Sequence, residues 1–168
     1  MAQILLSLGS NIDPERHLRA AVAALDEQFD GVRLSPVYRT PAVGFDGPPF
    51  LNLVALGQSS QPVGQIIQQL KALEDQLGRS RLGAKFSSRS IDIDLLTYGD
   101  LCTEDQGLNI PRDEILRYAF VLKPLADLVG DQRHPCLPQT YAELWQAFAD
   151  KADLSPVAID WGRQNAIG

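Results

Sequence analysis

The sequence predicts a mixed α+β fold, and three observations carry that expectation. Two segments, 14–29 and 62–77, place apolar residues at helical spacing. Short apolar runs of strand length precede and follow each of them. Glycine and proline mark nearly every junction, so the order strand, helix, strand, strand, helix, strand can be read along the chain.

Residues 3–8 form the first apolar run, closed by Gly9-Ser10-Asn11, which reads as a strand ending in turn residues. Asp13-Pro14-Glu15 then offers an N-cap, a proline at the first helical position and an acid in the first turn. Leu18, Ala21, Val22, Leu25 and Phe29 share one face, so 14–29 is expected to be an amphipathic helix stopped by Gly31. Val32, Leu34 and Tyr38 suggest a second strand, with Pro36 marking an edge or a bulge. Residues 39–49 (RTPAVGFDGPP) hold too much glycine and proline for regular structure, and a loop of this kind often carries function. A third strand follows at 50–56. Ser60-Gln61-Pro62 opens the second helix, with Val63, Ile66, Ile67, Leu70, Leu73 and Leu77 on one face and Gly78 as its stop. The fourth strand spans 90–98.

This β-α-β-β-α-β order is that of a ferredoxin-like sandwich, whose sheet carries both helices on one face and leaves the other face available. Beyond Gly99 the pattern becomes a C-terminal helical elaboration. Ile110-Pro111 suggests a short strand, 113–118 and 124–129 short helices, and 140–149 a clearer helix bearing Leu144, Trp145 and Phe148. Without an internal repeat, low-complexity tract or linker, the 168 residues read as a single domain, with a core of about 1–130 and an extension of about 131–168.

A net charge of −6 argues against a nucleic-acid or polyanion binder. Against that global sign, Arg79, Arg81, Lys85 and Arg89 form a local basic run, which suggests a small anionic ligand. Cys102 and Cys136 imply no disulfide framework and point to a reducing compartment. The N-terminus lacks the basic region and long apolar run of a signal peptide or membrane span, so the expected location is cytoplasmic, with no membrane partner. The oligomeric state leaves no signal, and a monomer is the default. His17 and His134 are too scattered for a histidine metal site, and neither a P-loop nor a G-x-G-x-x-G is present.

The stretch 86–96, FSSRSIDIDLL, carries the chemistry. Side chains on a strand alternate between faces, so Asp92 and Asp94 point the same way while Ile91, Ile93 and Leu95 point to the helices. Two carboxylates so placed repel each other unless a cation lies between them. A hard divalent ion such as Mg²⁺, completed by phosphate oxygens, resolves that repulsion. Guanidinium groups upstream bind phosphate oxygens through paired hydrogen bonds. Metal-holding acids beside phosphate-holding cations are the equipment of phosphoryl transfer. Phe50 and Asn52 share a strand face beside the glycine- and proline-rich loop, where a ring and an amide suit a flat heterocycle.

In order along the chain stand LSLGSN (6–11), VYRTPAVG (37–44), FLNLV (50–54), LGRSR (77–81), SRSIDIDLLTYG (88–99) and AFVLKPL (119–125). Together they resemble the 6-hydroxymethyl-7,8-dihydropterin pyrophosphokinase family of folate biosynthesis, over roughly the first three quarters of the chain. The resemblance implies a ferredoxin-like fold, ATP as co-substrate, two Mg²⁺ ions and transfer of pyrophosphate to a pterin hydroxymethyl group with release of AMP. It implies that Asp92 and Asp94 bind metal and, with Arg79 and Arg89, act in catalysis. Around ATP it implies Glu74, Arg79, Arg81, Phe86, Arg89 and Arg112. Around the pterin it implies Thr40, Pro41 and Val43 of the loop, the amide of Asn52, and Phe50 and Phe120 on the two sides of the ring.

The departures from the family pattern cluster on the ATP side. Phe86-Ser87-Ser88 replaces a tryptophan and the Gly-Pro-like pair that usually follows it. Arg112 replaces a histidine, and Tyr118 stands where an arginine is usual, with Arg117 one place early. This clustering admits a second expectation: a relative that binds pterin but has lost or altered the ATP-dependent transfer.

Overall fold

A computed structural model describes residues 1–42, 46–78, 91–149 and 153–162. Val43, Arg79, Arg81, Lys85, Phe86 and Arg89, together with Ser87 and Ser88, lie outside the described residues.

Strand β1 (Ala2–Ser10) leads into helix α1 (Pro14–Gln28), then β2 (Asp30–Leu34), β3 (Val37–Thr40) and β4 (Phe50–Ser59). Helix α2 (Val63–Gln76) and β5 (Asp92–Tyr98) complete the expected alternation. All strand pairs are antiparallel. The sheet runs β5-β1-β4-β3-β6, with β2 also paired to β4 and with β6 (Ser155–Val157) added along β3.

Several local expectations need correction. Gly9 and Ser10 belong to β1 and pair with β4, rather than forming a turn. The expected second strand is two strands broken at Ser35-Pro36. Proline cannot donate to a ladder, and the Ser35 hydroxyl accepts the Val54 N–H at the break. Asp13 does not cap α1 through its side chain. Its backbone is left-handed, and its carboxylate pairs with Arg16 at 2.6 Å. Thr140 and Glu143, by contrast, form a reciprocal capping box at α5 (Tyr141–Ala147). The helix expected from Pro124 starts five residues earlier, as α4 (Ala119–Val129), with Pro124 inside it. Apolar packing on the sheet outweighs the one hydrogen bond that the proline removes.

Cys102 and Cys136 are joined in a disulfide across 34 residues of chain, which corrects the expectation of unpaired thiols. The spacing gave no hint of it, because the fold alone brings the two loops together, with Cα atoms 5.6 Å apart.

Both faces of the sheet are buried. Ile4, Leu6, Leu8, Leu51, Leu53, Ile93 and Leu95 meet α1 and α2 on one side. On the other, Leu5, Val54, Leu56 and Leu96 meet α3 (Glu114–Arg117), α4 and α5 through Ile115, Val121, Leu122, Leu125 and Tyr141. The second face is therefore not left open along its length. Each such aliphatic residue gains about 1.5–3 kcal/mol on full burial, so the apolar half of this face demands a cover. The cover ends where the outward residues of β1, β4 and β5 cease to be apolar.

Candidate active site

Strand register gathers the site at that uncovered end. Gly9 of β1 lies opposite Asn52 of β4 on one side and Asp92 of β5 on the other. One residue pair along, Ser7 lies between Val54 and Asp94. The carboxylate pair and the amide thus share one face, separated by two strand spacings, about 10 Å. Tyr38 is the β3 partner of Asn52 and extends the same row.

At the amide end, Asn52 is buried, and its Nδ2 donates to Thr40 Oγ1 at 2.8 Å. That bond fixes which way the amide faces. A Cβ added to Gly9 would stand 2.8 Å from Asn52 Oδ1 and 3.7 Å from the Phe50 ring. Gly9 has no positive φ, so space and not backbone conformation is what its lack of a side chain provides. The loop edge is tied to the same end by Asn11 Nδ2, which donates to the Pro48 carbonyl at 3.1 Å. A cavity of about 460 Å³ opens behind Thr40 and Pro41, lined also by Arg39, Asp46 and Asp153. Neither carboxylate of the pair nor Asn52 lines it, and Thr40 is its link to the amide.

At the other end, Asp94 has its carboxyl pushed up to about 7. Burial is the main cause, and the charge of Asp92 adds to it, followed by those of Glu74 and Glu114. Arg112 opposes the shift. Burial alone would discourage the Arg112 charge, but its bond to Glu114 and the carboxylates of Asp94 and Asp92 hold it firmly protonated. Its Nε and Nη2 both donate to Glu114 Oε2, at 3.1 and 2.5 Å.

Glu74, expected beside a nucleotide, is only 2% exposed. Its Oε2 accepts the Ile93 N–H at 2.7 Å, fastening α2 to β5 between the two aspartates. Phe120 lies in the first turn of α4, its ring stacked on Tyr118 with centroids 5.0 Å apart. Arg117 folds back over that same tyrosine ring, 5.2 Å from its centroid. The structure thus brings Asp92, Asp94 and Arg112 together at one end, and Thr40, Phe50 and Asn52 at the other. Gly9 and Glu114 are the additions that sequence reading passed over. Glycine in an apolar run reads as a turn, and only strand register reveals it as the floor between amide and acids. Glu114, two residues from an arginine, reads as an ordinary surface acid.

Among the described residues no group of three or more His, Cys, Asp or Glu is placed to hold a metal. The aspartate pair nevertheless fits a hard divalent cation, because such an ion would offset both the burial and the neighbouring Asp92 charge that raise Asp94. Its remaining ligands would have to come from a substrate's oxygens or from water.

A pair of carboxylates with an arginine at one end, and a buried amide beside an aromatic ring at the other, stand on one face of an antiparallel α/β sheet. The chain belongs to the 7,8-dihydro-6-hydroxymethylpterin-pyrophosphokinase (HPPK) family, whose profile matches residues 5–130. It is 36% identical over 158 residues to the 2-amino-4-hydroxy-6-hydroxymethyldihydropteridine pyrophosphokinase of Synechocystis sp., covering 92% of this chain and 80% of that one. It is 31% identical over 159 residues to the folic acid synthesis protein fol1 of Pneumocystis carinii, across 92% of this chain but 21% of fol1. In fold it is similar to a crystal structure of HPPK-DHPS in complex with substrates, with a TM-score of 0.68 at 12% identity, over 88% of this chain and 43% of that one. The chain thus corresponds to one part of those two longer proteins.

Proposed function

We propose that this chain transfers pyrophosphate from MgATP to the hydroxymethyl group of 6-hydroxymethyl-7,8-dihydropterin, giving AMP and the pterin diphosphate. Family membership supports the activity. The observation that carries it to these residues is the row Asn52, Gly9, Asp92, which sets a heterocycle-reading amide and a metal-suited acid pair on one face. No observation favours the binding-only alternative.

In this reading Asn52, oriented by Thr40, accepts and donates along the polar edge of the pterin. Pro41 and Val43 frame the ring, and Phe50 and Phe120 lie against its faces. With the heterocycle anchored at Asn52, the hydroxymethyl group points along the sheet toward Asp92, within the roughly 10 Å that two strand spacings allow. Asp92 and Asp94 would hold two Mg²⁺ ions, which supply charge neutralisation for the polyphosphate. Arg112 carries a fixed positive charge at the same end, and Arg79, Arg81 and Arg89 add to it, with Glu74 and Phe86 on the nucleotide side. Arg112 cannot move a proton at neutral pH, so its part is electrostatic. The chain's contribution is to hold the hydroxyl in line with the β-phosphorus and to screen charge.

The strand order β5-β1-β4 followed by β2 and β3 supports a ferredoxin-like arrangement. The sheet shared by both apolar clusters supports one domain over 1–168, with 131–168 as an extension. We place the protein in the cytoplasm as a monomer acting on small molecules, without nucleic-acid or membrane partners. Among the described residues no helix is long and apolar enough to cross a membrane. Purified protein given ATP, Mg²⁺ and hydroxymethyl-dihydropterin should release AMP only when all three are present. Pterin binding without AMP above background would defeat the proposal.

A further inference from the structure

We infer that Glu114 is the positioning residue that presents Arg112 to the ATP phosphates beside Asp92 and Asp94. This inference rests on the pyrophosphokinase reading and adds to it a residue that the reading does not require.

The backbone of Arg112 is fixed first. Its N–H donates to the Leu96 carbonyl at 3.0 Å, so it hangs from the same strand that carries both aspartates. The segment before it is braced by the Thr103–Ile110 bridge, whose two hydrogen bonds measure 2.8 and 3.1 Å, and by the adjoining Cys102–Cys136 bond. Glu114 then fixes the side chain. One carboxylate oxygen takes both Nε and Nη2, which sets the plane of the guanidinium as well as its position.

A guanidinium has five N–H donors. Two are spent on Glu114, and the other three have no hydrogen-bond partner among the described residues. The side chain stays 39% exposed, and the charges of Asp94 and Asp92 act on it directly. Arginine–carboxylate pairs are frequently bidentate, with two parallel bonds, one to each oxygen. Here both bonds converge on one oxygen, and the rest of the fork has no hydrogen-bond partner among the described residues, next to the acids that suit a metal. Planar donors so placed match phosphate oxygens bridging toward those acids. Without Glu114 the long side chain would sample many rotamers, and ordering it on binding would weaken the interaction.

The test uses the full chain and Mg²⁺ with a non-hydrolysable ATP analogue, measured by calorimetry, together with AMP formation. Glu114→Gln should weaken analogue binding about tenfold and raise the KM for ATP by a similar factor. Pterin affinity should stay within about twofold and Tm nearly unchanged. Glu114→Asp should recover most of the loss. Arg112→Met should lose at least as much, and the double variant no more than Arg112→Met alone, because the two residues act as one unit. Unchanged analogue binding in Glu114→Gln, or additive losses in the double variant, would overturn the inference. If the unaltered protein binds the analogue and pterin but makes no AMP, the functional reading fails while the role of Glu114 is still read from binding. If it does not bind the analogue at all, both fail.

Discussion

Gly9→Ala tests whether the space between Asn52 and Asp92 is there to seat a ligand. The added methyl would lie 2.8 Å from Asn52 Oδ1, where ordinary contact begins near 3.4 Å, so something must shift. The backbone of β4 cannot yield, because it is paired with β1 on one side and β3 on the other. The amide must rotate instead, straining or breaking its 2.8 Å bond to Thr40. A disrupted buried hydrogen bond costs about 1–2 kcal/mol and local overpacking about 1–3 kcal/mol. Alanine in place of strand glycine returns roughly 0.5–1 kcal/mol. The net loss of about 1–4.5 kcal/mol should lower Tm by roughly 3–13 °C in a chain of this size. Misdirecting the amide should weaken pterin binding by roughly 1–2 kcal/mol, about 5–30-fold. Fluorescence titration with pterin, and calorimetry with an ATP analogue, separate the two ends of the row. Unchanged pterin affinity in a folded Gly9→Ala protein would refute the reasoning, as would equal losses of pterin and nucleotide.

Three further outcomes follow from the same geometry. Asp92→Ala should reduce turnover by at least about a thousandfold through lost charge stabilisation, with pterin affinity within about threefold in calorimetry; a matching loss of pterin binding would contradict the division of the row. Asp94 is raised to about 7, so folding favours its proton; the stability this gives is complete below the ordinary aspartate range and is lost as pH climbs through about 7. In EDTA, Asp94→Asn should therefore melt above the unaltered protein by a margin that grows from pH 4 to pH 7 and then levels, and a margin independent of pH would exclude this. Closing 34 residues with the Cys102–Cys136 bond should stabilise by about 3–4 kcal/mol on the chain-entropy account; Cys102→Ser should lower Tm accordingly, and two free thiols titrated in unreduced, denatured protein would show the bond absent.

Periodicity made the α1 and α2 layers and the strands between them legible, because their apolar residues repeat at 3.6 or 2 along the sequence itself. The face of Asp92 and Asp94 followed from alternation alone. The second apolar layer was not legible. Leu5, Val54 and Leu56 interleave with residues of the first layer, so β1 and β4 read as continuous apolar runs that say nothing about a second cover. Strand β6 was missed because three residues with a proline carry no pattern, and their pairing depends wholly on the β3 edge. Asn52 could be suspected from its neighbour Phe50, whereas Gly9 could not, since its meaning lies in what stands across from it on two other strands. Glu74 illustrates the converse. It was expected beside the nucleotide, and only the structure shows its carboxylate buried and turned to the Ile93 N–H.

That bond bears on why the aspartate pair stays in conflict. β5 lies at the edge of the sheet, where a strand can ordinarily twist or fray to separate like charges. Here each neighbour of the pair is anchored. Ile93 is held through its N–H by Glu74 and through its side chain under the α2 layer. Leu95 packs into that same layer, and Leu96 packs into the opposite one. The Leu96 carbonyl is in turn taken by Arg112. With the backbone fixed on both sides of Asp94, repulsion cannot be relieved by movement of the strand. Arg112 relieves it in part, and the rest is relieved by a proton, which the raised Asp94 accepts near neutral pH, or by a cation. Competition between the two means that metal affinity should climb with pH up to about 7 and then level off. The anchors thereby hold the two carboxylates in that conflict.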